Sequence, residues 1–458
     1  MTTRRQSDIG TAWRRDKAGM GVWPHRGKVA IAGIGHSPVD RRYDMHSMDT
    51  TLGAYAILAC RRAMADAGVK PEDVDGLLCC PQNGDGSGGP AGRWAPRPYF
   101  SPPYDSEDGL SIVTGGWLQK QMPDLKNLKY VPHDVPAIGE GMGFAAQSVA
   151  EGKCHTTLFI YTMGNLEGRY RQGGEENTSE MAKGNRQWTA PWGSHGGNMF
   201  INIFPHEQYN IKYGRKHDDM APFVINQHRN GLAAPWGFYT NHEPRMTTLE
   251  DYMTSRMILN PLRIWDCDRP VNAVTAYLVT TSERAKNMRQ KPVYILNHSQ
   301  GGSRERSTHA TLEEVQAWSA NAARQAYEGS GLKPSDLDIF NPYDGYSTMT
   351  QFFLEAFQYK GVKEGQAYDF YKDIGYDGMH PFASGGGNLG NGRTRSAMYT
   401  DSVEQHRGRV GIIEGFDDPV KHKPLAGKRK VHAKAETAIC GFAPTGSEAF
   451  LALSSTPS

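Results

Sequence analysis

One short pattern occurs twice, far apart in the chain, and it limits the fold more than any other feature. GVKPEDVD (Gly68 to Asp75) returns as GLKPSDLD (Gly331 to Asp338). Each copy closes a run with helical spacing, "TTLGAYAILACRRAMADAG" in the first and "LEEVQAWSANAARQAYEGSG" in the second. Each then enters an apolar run that reads as a buried strand. Helix, turn and strand repeated in the same order predict a duplicated α/β unit.

The later parts of the two units also correspond. "GEGMGFAAQSVAEGKCHTTLFIYTMG" is a glycine turn, a helix and a strand, and "GNGRTRSAMYTDSVEQHRGRVGIIEG" has the same order. Each unit therefore starts a central helix at a glycine-rich turn. Helix N-termini carry free N–H groups and a partial positive charge. Two of them, back to back, form a natural anion or oxyanion site.

The chain has 458 residues, 38% of them hydrophobic and 22% charged, with a net charge of +2. That balance describes a soluble globular protein and gives no case for nucleic acid. Nothing approaches eighteen consecutive apolar residues, so no membrane span is expected. The six cysteines form no CxxC pair. No metal site is expected in this chain. Free cysteines and an N-terminus without an apolar signal core point to the cytoplasm. Residues 1–27 read as an arm, either disordered or wrapped on a neighbouring subunit. Residues 28–289 form the first half, and 290–458 the second. The first half carries an insertion at about 165–264, rich in Trp, Tyr, His and Asn, that reads as a lid with two helices near 206–230. The aromatic loop from Trp94 to Tyr104 is read as an ordered partner contact.

The candidate chemistry centres on two segments. "GGGNLGNGRTRSA" (Gly385 to Ala397) places five glycines in eight residues before a helix. Such a loop admits a close approach of backbone to something else. Gly386, Gly387, Asn388 and Gly392 are its candidate binding groups, with Arg393 at its far edge. "NPYDGYS" follows the second repeat's strand and offers Tyr343, Asp344 and Tyr346. Among the histidines, His206 starts a helix of the insertion and is the leading candidate, ahead of His133, His195 and His380; any of them can equally be structural.

This layout resembles the thiolase superfamily, in particular its sterol-carrier or lipid-transfer branch. "CDRPVNAVTAYLVTTSERA", "NPYDGYSTMTQFFLEAFQYKGVKEG" and the glycine loop stand in the family's order, over about Lys28 to Ser455. The resemblance implies a five-layered αβαβα fold and at least a dimer. It also implies coenzyme A esters as substrates. The sequence departs from the family where thiolysis needs it most. The region of the family's nucleophilic cysteine, Asp134 to Phe144, holds neither Cys nor Ser, and the histidine of the family's glycine loop falls on Arg393. Cys440 lies near a third cysteine position, either as a catalyst or as a buried small side chain. Steroid side-chain acyl-CoA aldolases of this branch share the loss of cysteine and histidine. The resemblance therefore implies a retro-aldol carbon–carbon lyase acting on a bulky 3-hydroxyacyl-CoA, working with a small OB-fold and zinc-ribbon partner. A thiolase or acyltransferase using Cys440, and a non-catalytic acyl-CoA carrier, are the alternatives. For Arg393, three roles stand open: a fixed charge for the enolate, a salt bridge, or a coenzyme A phosphate anchor.

Overall fold

A computed structural model of the chain describes residues 21–44, 46–83, 113–132, 134–135, 138–164, 168, 198–300, 310–374, 381–409, 435–442 and 449–457. Eight strands form one mixed sheet: β1 Val29–His36, β2 Gly76–Asn83, β3 Thr156–Gly164, β4 Ala273–Thr281, β5 Val293–Gln300, β6 Ile339–Asn341, β7 Thr437–Phe442 and β8 Ala449–Ser454. Their order is β2-β3-β4-β1-β5-β8-β7-β6. Read outward from the centre, the two halves match strand for strand. β2 and β3 are parallel, and so are β6 and β7. β3–β4 and β4–β1 are antiparallel, as are β7–β8 and β8–β5. A short antiparallel ladder between β1 and β5, Val29 opposite Ile295, joins the halves.

The repeated octapeptide explains this symmetry in hydrogen bonds. Helix α1 (Leu52–Ala67) is closed by Gly68 at φ 72°. Its counterpart, Leu312–Ser330, is closed by Gly331 at φ 73°. Only glycine enters that left-handed region cheaply. The Asp73 carboxylate then accepts the N–H of Lys70 at 2.9 Å, and Asp336 accepts that of Lys333 at 2.9 Å. The last aspartate of each copy reaches the neighbouring strand. Asp75 accepts from the N–H of Thr156 at 2.8 Å, where β3 begins. Asp338 accepts from the N–H of Glu436 at 2.8 Å, just before β7. The same eight residues thus end a helix, make a turn and tie down a parallel strand pair, twice.

Every residue of β1 is buried. A strand covered on both faces carries apolar side chains without alternating polar ones. Ala30, Ala32, Leu158 and Ile160 face α1 in one cluster, while Val29, Ile31, Phe159 and Tyr161 face the larger core. Into that larger core go the two central helices, α2 (Ile138–Ala150) and Ala397–Arg407, which pack on strands β3 to β5 and β5 to β7. The chain between 410 and 434, where sequence reading placed the strand "RVGIIEG", lies outside the described residues. The place beside β6 is taken by β7.

Among the described residues the insertion holds two longer helices, α3 (Asn198–Tyr213) and α4 (Ala221–Leu232), and two short ones, Phe238–His242 and Leu249–Thr254. The counterpart of α1, at 312–330, is numbered α5. The glycine loop forms a one-turn helix α6 (Gly387–Asn391), and the second central helix Ala397–Arg407 is α7. Most of the arm, and the aromatic loop 94–104, fall outside the described residues. The arm's end is held by its own chain: Trp23 donates from its backbone to Gly329 O at 2.8 Å and from its indole to Gln147 at 3.0 Å. Among the described residues, no helix is long and apolar enough to cross a membrane.

Candidate active site

The site forms where the segment after β6 meets the glycine loop and the start of the approach to β4. Asp344 is buried completely beneath α6. Its carboxylate accepts the N–H of Asn388 at 2.6 Å and the side-chain amide of Gln227, from α4, at 2.7 Å. It also accepts the N–H of Leu389 at 3.4 Å and the Asn388 amide at 3.3 Å. Burial pushes the Asp344 carboxyl up to about 7, against the pull of those hydrogen bonds.

The glycines of the loop accommodate protein. A Cβ at Gly387 would stand 1.9 Å from the Asp344 carboxylate, and one at Gly390 would stand 2.1 Å from the carbonyl oxygen of Gln227. Gly386 lies at φ 80°, and a Cβ there would meet the backbone of Gly231. Gly392 is backed by Val271 and Phe238 in the same way. The loop is thin so that α4 and Asp344 can lie directly on its backbone. Asn388 is fixed by the same contacts, and its side-chain oxygen accepts the N–H of Arg395 at 2.7 Å. The donors that the sequence suggested for an enolate oxygen, at Asn388 and the helix start, thus have a protein acceptor in Asp344.

Around this anchor lies a ring of side chains with a little exposed surface. Tyr343 is 5% exposed, Arg393 7%, Arg395 5% and Asp268 7%, whereas Asp344, Asn388, Cys440 and His206 show none. The Arg393 guanidinium Nε stands 3.9 Å from an Asp268 oxygen, a separation at the outer limit of an ion pair. Its backbone N–H donates to the carbonyl of Arg269 at 2.7 Å. Burial pushes the Tyr343 phenol up; the nearby Arg395 and Arg393 charges pull it back, and the carboxylates of Asp268 and Asp344 oppose them. Tyr346 is held well above the ordinary phenol range by burial, then by Cys267 and Asp268, with Arg393 pulling the other way. Tyr161, on β3, comes within 3.4 Å of the Arg395 guanidinium. Three tyrosines, two arginines and two aspartates therefore share one electrostatic neighbourhood.

Of the residues singled out in the sequence, Tyr343, Asp344, Tyr346, Asn388 and Arg393 are brought together. Two are placed elsewhere. Cys440 sits fully buried on β7, its thiol pushed up to about 12 by burial. His206 lies in a buried network of the insertion, bonded to His217 at 2.9 Å. Its pKa is driven well below the ordinary value, first by burial and then by His217. His133, His195 and His380 fall outside the described residues. Sequence reading missed Asp268, Arg395 and Gln227. Asp268 stands in the "CDRP" run that carried the family resemblance, but only the backbone bridge between Cys267 and Tyr346 brings it to the site. Arg395 lies two residues beyond Arg393 at φ 55°, and no spacing rule marks that backbone turn.

The paired half-sheets, the central helices and the glycine loop form a thiolase-like fold. Residues 301–414 match the family described as thiolase C-terminal domain-like. Relatives extend over most of the chain. A steroid side-chain-cleaving aldolase of Thermomonospora curvata is 26% identical over 384 residues, spanning 81% of this chain and 87% of that protein. A 17-hydroxy-3-oxo-4-pregnene-20-carboxyl-CoA lyase of Mycobacterium tuberculosis is 24% identical over 425 residues, spanning 90% and 97%. Among solved structures, an "Ltp2-ChsH2(DUF35) aldolase" superposes with a TM-score of 0.67 at 21% identity, covering 94% of this chain and 98% of that one.

Proposed function

We propose that this protein is an acyl-CoA carbon–carbon lyase of retro-aldol type, acting on a bulky 3-hydroxyacyl-CoA such as one bearing a steroid or aromatic group. One observation carries the reading. Tyr343, Tyr346, Arg393 and Arg395 converge with some exposed surface, while all six cysteines are buried. Thiolysis needs a thiolate to carry the acyl group. A buried thiol held near 12 has almost none at neutral pH. Retro-aldol cleavage needs only a base, an acid and an oxyanion site. The names of the two relatives, an aldolase and a carboxyl-CoA lyase, support the same class.

The steps divide among the chain's own residues. A base takes the proton of the β-hydroxyl. The Cα–Cβ bond breaks, its electron pair passes to the thioester as an enolate, and the β-carbon becomes a carbonyl. The α-carbon then takes a proton. Tyr343 or Tyr346, phenols raised by burial and pulled back by the neighbouring arginines, moves these protons, and Asp268 stands beside Tyr346 and Arg393. Arg393 and Arg395 hold positive charge where the enolate oxygen develops. One such donor is worth about 2.7–4 kcal/mol in comparable sites. Asp344, with Asn388 and Gly387, serves as the anchor of the loop. Gly386 and Gly392 let that loop seat.

The aldolase structure named above carries the names of two proteins, Ltp2 and ChsH2. We extend this to a working unit: a homodimer with a small OB-fold and zinc-ribbon subunit, in the cytoplasm. The test is incubation of the protein, alone and with such a subunit, with a panel of acyl-CoA and 3-hydroxyacyl-CoA esters, read by mass spectrometry. Release of a ketone or aldehyde with a shortened acyl-CoA, and no protein adduct, is expected. A stable acyl adduct that disappears in Cys440→Ala would replace the lyase reading with acyl transfer. Retention of CoA esters without turnover would leave a carrier.

A further inference from the structure

We infer that Asp266 is a positioning residue of this site, and that His217 and His206 hold it in place; the inference rests on the lyase reading above. Asp266 is completely buried and accepts four hydrogen bonds. They come from the His217 ring at 2.9 Å, the Tyr252 hydroxyl at 2.9 Å, the Ser347 hydroxyl at 2.7 Å and the backbone N–H of Arg263 at 2.7 Å. A buried carboxylate persists only when its oxygens are satisfied in this way.

The histidines behind it form a buried chain. The Gln351 amide lies 3.1 Å from His206 Nδ1, and the Asn210 amide 3.2 Å from His206 Nε2. His206 Nε2 also stands 2.9 Å from His217 Nδ1, and His217 Nε2 stands 2.9 Å from Asp266. The two rings are thus held in place between amides and the carboxylate. The low pKa of His206 agrees with a neutral ring at its centre.

What the carboxylate fixes is the site itself. Asp266 opens the run that continues through Cys267, Asp268 and Arg269. Cys267 pairs with Tyr346 in an antiparallel bridge, and the N–H of Asp268 donates to Gly345 O at 3.2 Å. Arg269 O receives the backbone N–H of Arg393. Ser347, one residue past Tyr346, is bound by the same Asp266 carboxylate. One buried group therefore clamps the segment bearing Asp268 to the segment bearing Tyr343 and Tyr346, and Arg393 hangs on the first. Asparagine at 266 would turn one acceptor into a donor among four donors and loosen the clamp.

The experiment is steady-state kinetics of the full chain, with its partner subunit where turnover requires it, on the ester that the unmodified protein cleaves. Asp266→Asn is expected to lower kcat roughly 100-fold, the effect of a misplacement of about 1 Å, while KM moves less than about threefold. His217→Gln, which can still donate to Asp266, is expected to lose roughly tenfold in kcat. Should Asp266→Asn fail to fold, His217→Gln and His206→Gln carry the test. Folded variants with unchanged kcat, or with raised KM and retained kcat, overturn the inference. Should the unmodified protein cleave no ester, the lyase reading fails by itself. The clamp is then read by hydrogen exchange, with faster exchange at Tyr346 and Ser347 in His217→Gln as the expected result and unchanged exchange as the overturning one.

Discussion

The carboxylate of Asp344 receives the backbone N–H of Asn388 at 2.6 Å, and this one contact decides what the glycine loop is for. The loop's first turn presents its donors to a buried side chain of its own fold. Chemistry on a substrate is left to the arginines and tyrosines around it. The division sets distinct expectations for the two kinds of residue.

Tyr343→Phe keeps the ring and removes the proton. Turnover is expected to fall by about 10²–10⁴, the range of general acid–base groups, with the melting temperature nearly unchanged. Single-turnover release of the carbonyl product checks it. An unchanged rate would assign proton transfer to Tyr346.

Arg393→Met removes a fixed charge beside Asp268. A loss of about 10²–10³ in kcat is expected, the size seen for a single oxyanion donor. Arg393→Lys is expected to recover only part, because a compact ammonium does not reproduce the guanidinium fork. A loss confined to KM would move Arg393 to the role of a coenzyme A phosphate anchor.

Gly390→Ala puts a methyl group 2.1 Å from the Gln227 carbonyl, which is backbone and yields only if α4 moves. Destabilisation of about 1–3 kcal/mol is expected, as for other overpacked sites, and is read from urea unfolding. Activity should fall with it, because α4 also delivers Gln227 to Asp344.

Asp344 and Glu355 give the pH dependence of stability a component of definite sign. Burial raises both carboxyls to about 7 in the folded protein. Unfolded carboxyls titrate near pH 4. Between about pH 4 and 7 these two groups bind more protons in the folded state than in the unfolded one, so their contribution to stability falls as pH rises through that window. Burial lowers the pKa of His36, His206, His228, His298 and His406, and these rings contribute with the opposite sign. The change in urea midpoint from pH 5 to pH 8 should therefore become more positive in Asp344→Asn and in Glu355→Gln than in the unmodified protein. The same change in both variants as in the unmodified protein would contradict the raised values.

Cys440→Ala is expected to leave turnover unchanged, since the thiol lies buried on β7 away from any exposed surface. Loss of turnover without loss of stability would bring the acyl-enzyme reading back.

Much of this was legible in the chain. The octapeptide at Gly68 and Gly331 determined the duplicated unit, because a left-handed glycine, a Lys-Pro turn and its first aspartate make local hydrogen bonds that need no distant partner to be foreseen. "NPYDGYS" and the glycine loop marked where chemistry gathers, since both stand at strand ends and helix starts. What the sequence left open depends on contacts between segments far apart. Whether the glycines face ligand or protein was decided by α4, which arrives from the insertion with Gly231 and Gln227. Asp268 reached the site through a backbone bridge to Tyr346, and His206 joined Asp266 through His217. Local bonding is written in neighbouring residues, whereas these placements follow from packing across the whole core, where a side chain's role is set by what burial and the tertiary fold bring against it.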